Sequence, residues 1–155
     1  MQSFPPTFIL RHRRENLKKC SLSGLEKRED MRFFSYPNSQ LPPLSQHVLL
    51  VMEGAEELSI NDQQYGILLL DSTWRYLGKM VPFVEKSGSL IRRTLRSDFK
   101  TAYPRRQEDC VDPERGLSSI EALYVAYHLL GRNKEGLLDA YYWRDQFLEI
   151  NAHLL

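Results

Sequence analysis

The chain has 155 residues, 42% of them hydrophobic, and 21 Lys and Arg stand against 20 Asp and Glu. This length and balance fit one ordinary soluble globular domain with a single core and a small N-terminal extension. No apolar run approaches the roughly 20 residues of a membrane span, and Cys20 and Cys110 lie too far apart for a Cys-x-x-Cys zinc or redox motif.

In chain order, the opening stretch MQSFPPTFILRHRREN places basic residues after a very short apolar patch, the reverse of a secretory signal. A reducing cytoplasm is the expected compartment. Thr7 to Arg11 reads as a first strand, and the polar stretch Lys19 to Asp30 contains a Ser-Leu-Ser-Gly turn. Residues 36 to 46 hold three prolines and read as an irregular connector. HVLLVM (His47 to Met52) and GILLLD (ending at Asp71) are short continuous apolar runs, the pattern of parallel strands buried on both faces.

Ser72 to Met80 fits a short helix with Ser72 or Thr73 as N-cap, expected to stop before Pro82. SGSLIRRTLRS shows helical spacing, with Leu90, Ile91 and Leu95 inward and the arginines outward, and DFKTAYP reads as a strand entering a loop. The clearest local signal is LSSIEALYVAYHLLGRN. Ser118 and Glu121 have capping-box spacing, with Ser119 the other possible N-cap, and Gly131 ends the helix. Ile120, Leu123, Tyr124, Tyr127 and Leu130 form its apolar face. A last helix is expected over roughly Gly136 to Ile150, with Leu137, Leu138, Tyr141, Tyr142, Phe147 and Leu148 as core. His128 reads as a structural histidine, since no metal-ligand spacing surrounds it.

Charge is clustered although the total is balanced. Arg11, Arg13, Arg14, Lys18 and Lys19 face only Glu15 in one block, and Arg92, Arg93, Arg96, Lys100, Arg105 and Arg106 face only Asp98 in another. Two such blocks form an electrostatic footprint for a phosphate backbone, provided the fold brings them together; solvated faces are the plainer account. The run ending in Asp71-Ser72-Thr73-Trp74 delivers polar groups to the carboxyl edge of a parallel sheet, where open α/β folds bind ligands. No Gly-rich phosphate loop, Gly-x-Ser-x-Gly or His-Glu-x-x-His is present.

Four segments in order resemble the small-subunit rRNA aminocarboxypropyltransferase family. NLKKCS (16 to 21) is similar to its Asp-Pro-Lys-Lys/Arg-Cys-Thr/Ser, and LLLDSTW to its strand ending Asp-Cys-Ser-Trp. GLSSIEALYVAYHLLG is similar to its Leu-Ser-Thr-x-Glu-Ala helix, and FLEIN (147 to 151) to its terminal Phe-Leu-Glu-Leu-Asn. The resemblance implies an α/β, SPOUT-like parallel-sheet domain with a C-terminal trefoil knot. Residues 1–46 would be an N-terminal segment with a basic strand, loop and Pro-rich connector, and 47–155 the cofactor-binding region. It further implies transfer of the 3-amino-3-carboxypropyl group of S-adenosylmethionine to N3 of a uridine or pseudouridine in small-subunit rRNA.

The same resemblance implies Asp71 as catalytic base and Ser21, Leu50, Met52, Trp74, Leu95 and Ser119 as cofactor contacts, with no metal. RNA contacts would come from Arg11, Arg13, Arg14, Lys18, Lys19, Arg92, Arg93, Arg96, Arg105 and Arg106, on a monomer acting on rRNA or a pre-ribosomal subunit. Asp71 as a helix cap, Trp74 as plain core, Ser119 as cap alone and Cys20 as inert are the structural alternatives. Asn16-Leu17 replaces the family's Asp-Pro, Leu50-Val51-Met52 its Leu-Ser-Pro and Leu95-Arg96 its Leu-Pro, and the segment before Leu117 is longer. Asp71-x-Thr73-Trp74 also resembles the motif of tRNA-uridine aminocarboxypropyltransferases, although the cysteine pairs usual there are absent. A SPOUT-like RNA methyltransferase and a non-catalytic RNA-binding assembly factor are the other readings.

Overall fold

In the computed structural model, the described residues are 4–12, 22, 24–37, 40–52, 54–72, 74–86, 88, 90–103 and 117–155. Six strands and three α-helices lie among them. The strands are β1 (Thr7–His12), β2 (Met31–Tyr36), β3 (His47–Leu50), β4 (Glu56–Glu57), β5 (Gly66–Asp71) and β6 (Ile91–Thr94). The helices are α1 (Trp74–Val84), α2 (Ser119–Leu129) and α3 (Arg144–Ile150). The sheet order is β2-β1-β5-β3-β6-β4, and each pairing in it is parallel.

Strand parity divides the core. Ile9, Val48, Ile67 and Leu69 point to one face, where they meet Leu123, Ala126 and Tyr127 of α2 and Phe147 of α3. Phe8, Leu10, Leu49, Leu68 and Leu70 point to the other, against Met80 and Val84 of α1. Both faces of the sheet are therefore covered, which is why β5 carries a continuous apolar run rather than an alternating one. The two strands from residues 1–46 pair within this same sheet, with β1 directly against β5.

Several expectations need correction. β2 is an edge strand whose burial does not alternate, so its sequence carries no period-2 signal. Residues 91–94 form a strand, not a helix, because β6 fills the slot between β3 and β4. Ile91 is consequently 39% exposed instead of inward. Residues 98–103 contain no strand; the backbone N–H and C=O of Lys100 both pair with the Asn151 side-chain amide, each at 2.9 Å. α1 runs through Pro82 to Val84. Pro82 removes the donor for the Gly78 carbonyl, but both residues are exposed and water can serve it, while Met80 and Val84 hold the helix in the core.

The C-terminal helix is shorter than expected, since residues 136–143 are turns and irregular backbone and Gly136 has φ +82°. Leu137, Leu138, Tyr141 and Phe147 are buried as expected, with Leu148 half-buried, but Tyr142 is 82% exposed. α2 matches its expected capping box, with Ser118 as N-cap. Its burial extends beyond the apolar stripe to Val125, Ala126 and Glu121, because the sheet, the 101–103 segment and Tyr141 enclose it.

Candidate functional site

The carboxyl edge of the sheet carries the polar cluster. Arg11 on β1 is the register partner of Asp71 on β5, and both share parity with Ile9 and Leu69, so they face α2. Asp71 is 3% exposed. Its Oδ2 accepts from Arg11 Nε at 3.2 Å, and its Oδ1 accepts from Ser119 Oγ at 2.6 Å. The choice between two N-caps explains this second bond. Ser118 accepts from the Glu121 N–H and closes the capping box, which leaves the Ser119 hydroxyl for Asp71.

The apolar candidates lie toward the same end of the parallel sheet: Leu50 closes β3 opposite Arg93, Met52 follows two residues later, and Leu95 comes just after β6 as Asp71 closes β5. Leu50 and Leu95 are half-buried against the α2-side core, while Met52 is 51% exposed. Trp74 opens α1 three residues after Asp71. The Ser72 hydroxyl oxygen is buried with no hydrogen-bond partner among the described residues. Ser21, Arg13, Arg14, Lys18, Lys19, Arg105 and Arg106 lie outside the described residues.

The fold pairs the described arginines of the basic blocks with acids. Arg11 Nη1 also reaches Glu26 at 3.5 Å, and its guanidinium carbon lies 4.9 Å from the centre of the Phe33 ring. Arg93 donates to buried Asp62 at 3.1 Å and reaches Glu56 at 3.5 Å, because β4 and its following turn lie beside β6. Arg92 pairs with Glu85, and that hydrogen bond holds the Glu85 carboxyl below its ordinary range. Arg96 pairs with Asp98 at 2.6 Å. Arg92 and Arg96 remain exposed, whereas Arg11 and Arg93 turn inward.

Glu121 does more than the capping box required. It is completely buried, and besides Ser118 N–H it accepts from Thr101 Oγ1 at 2.6 Å, Ala102 N–H at 2.9 Å and Tyr141 O–H at 2.9 Å. One carboxylate thus joins three segments behind Ser119. Capping-box spacing marked the residue, but its other donors lie 19 and 20 positions away and left no local signal. His128 is half-buried with Nδ1 2.9 Å from Lys134 Nζ; burial first, and that ammonium second, lower its pKa. Among the described residues no group of three or more His, Cys, Asp or Glu is placed to hold a metal, and no helix is long and apolar enough to cross a membrane.

The sequence matches no family model and no curated protein. A solved structure described as the SAM-dependent rRNA:acp-transferase Tsr3 from Vulcanisaeta distributa superposes with a TM-score of 0.72 at 21% identity, over 97% of this chain and 80% of that one. What this chain shares with that structure is its fold, an α/β domain on a parallel sheet.

Proposed function

We propose that this protein is an S-adenosylmethionine-dependent transferase that moves the 3-amino-3-carboxypropyl group to N3 of a uridine or pseudouridine in small-subunit rRNA. The observation that carries the reading is Asp71, buried at the carboxyl edge of a sheet shaped like that of an rRNA:acp-transferase and bonded to Ser119 at the start of α2. A SPOUT-like domain with a C-terminal trefoil knot is part of the same proposal, and the parallel α/β sheet is the feature that agrees with it.

The residues present suit such a cofactor. Leu50, Met52 and Leu95 offer apolar surface, Met52 the most exposed of them, and the Ser72 hydroxyl is a buried group with no partner among the described residues. When bound, S-adenosylmethionine supplies an electrophilic carbon activated by the adjacent sulfonium. In this reading Leu50, Met52, Leu95 and Trp74 hold the adenosine and shield the methyl, while Ser21 contacts the ribose. The first turn of α2, with Ser119, receives the amino-acid end, since helix N-termini favour carboxylates. Presenting one carbon in line with the uridine selects which group is transferred.

Asp71 is assigned the N3 proton. The Ser119 hydroxyl, whose own hydrogen is committed to Asp71, is the short path by which that proton reaches the carboxylate. Exposed Arg92 and Arg96, together with the basic residues at 13, 14, 18, 19, 105 and 106, are assigned to RNA phosphates. Arg93 is held by Asp62 and Glu56, so it contributes only if those pairs open.

The test supplies RNA with cofactor labelled either in the carboxypropyl chain or in the methyl. Label entering RNA from the chain alone is expected. Label from the methyl alone would make the protein an RNA methyltransferase. No binding heat with S-adenosylmethionine, alongside salt-dependent RNA binding, would make it a non-catalytic factor. Transfer to tRNA instead of rRNA would move it to the tRNA-uridine branch that Asp71-x-Thr73-Trp74 resembles.

A further inference from the structure

We infer that Arg11 is a positioning residue for Asp71, not an RNA contact. A phosphate-binding arginine presents its guanidinium to solvent, yet the Arg11 side chain is only 12% exposed. Its Nε is committed to Asp71 Oδ2 at 3.2 Å, Nη1 to Glu26 at 3.5 Å, and one face of the group lies over Phe33. Three different segments therefore fix the guanidinium plane.

That plane determines how the carboxylate is turned. Asp71 has one oxygen on Arg11 and the other on Ser119. Rotation about its χ2 would break both bonds at once, so anchoring Oδ2 on Arg11 holds Oδ1 toward Ser119 and the first turn of α2. Arg11 and Asp71 sit on adjacent strands in the middle of the sheet, register partner to register partner, which is a rigid mount for a reactive group. Lysine would supply a point charge without the planar fork or the face that packs on Phe33, so it replaces the role incompletely.

The inference rests on the transferase reading, and the test separates the two. Arg11→Met, Arg11→Lys, Asp71→Asn and the double variant Arg11→Met/Asp71→Asn are compared with wild type for saturated turnover, RNA KM and the salt dependence of RNA binding. Thermal melts confirm that each is folded, and Arg11→Lys, which keeps the charge, serves if Arg11→Met is not. Arg11→Met is expected to lower kcat by about a hundredfold, the scale of a displaced reacting group, with RNA KM and salt slope unchanged. Arg11→Lys should recover part of that loss, and Arg11→Met should cost nothing further in the Asp71→Asn background, as expected for residues acting as a unit. Full kcat with weaker RNA binding and a shallower salt slope would overturn the inference and return Arg11 to the RNA surface, as would additive losses in the double variant. Wild type that transfers no carboxypropyl group would sink the transferase reading, and this inference with it.

Discussion

Ser119 Oγ donates to Asp71 Oδ1 across 2.6 Å, tying the first residue of α2 to the last residue of β5, 48 positions earlier. The bond exists because Ser118, one residue before, does the capping. Adjacent serines therefore have separable roles.

Exchanging each serine for alanine should expose that separation. Ser118→Ala removes the N-cap and should cost about 1 kcal/mol of stability. Ser119→Ala leaves the cap intact but takes a hydrogen bond from a buried carboxylate, at about 2 kcal/mol. It should also lower turnover, whereas Ser118→Ala should affect mainly the urea midpoint. Urea titrations combined with label-transfer rates would check both, and equal effects of the two variants on turnover would refute the division.

Glu121 offers a larger effect. Glu121→Ala strands the donors of Thr101, Ala102, Ser118 and Tyr141 inside the protein. The loss should be about 4 kcal/mol or more, placing it among the severe single substitutions. Glu121→Gln keeps the volume but turns an amide N–H₂ toward some of these donors, so it should remain clearly destabilised. Chemical denaturation of both variants decides this; wild-type stability in Glu121→Gln would mean the four contacts contribute little.

Alkaline pH should weaken the fold through Tyr127. Burial is the main cause that raises its phenol from 10.0 to about 12, and the nearby Asp30 carboxylate adds to it. The hydroxyl bonds Thr7 at 2.8 Å and Asp30 at 3.2 Å. Below pH 10 both folded and unfolded chains keep the proton, and the contribution is fully present. Between about pH 10 and 12 the unfolded chain releases it while the folded chain does not, so stability falls as pH rises, by about 3 kcal/mol at most. Tyr141 is raised by burial too and acts in the same direction. Urea unfolding across this range should show a flatter decline in Tyr127→Phe, which also starts lower because Thr7 and Asp30 lose a partner.

Gly66 opens β5 where no side chain fits. A Cβ there would lie 2.6 Å from His47 Nε2 and 3.0 Å from Pro5 Cβ. The imidazole cannot readily retreat, because it bonds the Pro6 carbonyl at 2.8 Å and stacks on Phe8. Gly66→Ala should therefore destabilise by about 1–3 kcal/mol through overpacking. Differential scanning calorimetry would reveal it, and an unchanged Tm would show that His47 has room to move.

Much of the framework was legible in the sequence because its causes are local. The apolar runs beginning at His47 and ending at Asp71 each announce a doubly covered strand, Thr7 to Arg11 reads as a first strand, and the Ser118–Glu121 spacing marks the start of α2. Asp71 at a strand's carboxyl end was visible in the same way. SGSLIRRTLRS has helical spacing in sequence, yet Ile91–Thr94 within it is a strand, because the slot between β3 and β4 is set by distant segments.

Adjacency between distant segments was decided only by tertiary structure. Placing β5 between β1 and β3 sets Arg11 against Asp71, and the common parity of those strands turns both side chains toward Ser119. Placing β4 beside β6 sets Glu56 on Arg93, so charges that form separate blocks along the chain neutralise one another in space. Hydrophobic runs and caps are specified within a few residues of chain. Strand order, and with it the pairing of Arg11 with Asp71 and of Arg93 with Asp62 and Glu56, depends on how segments far apart in the chain pack together.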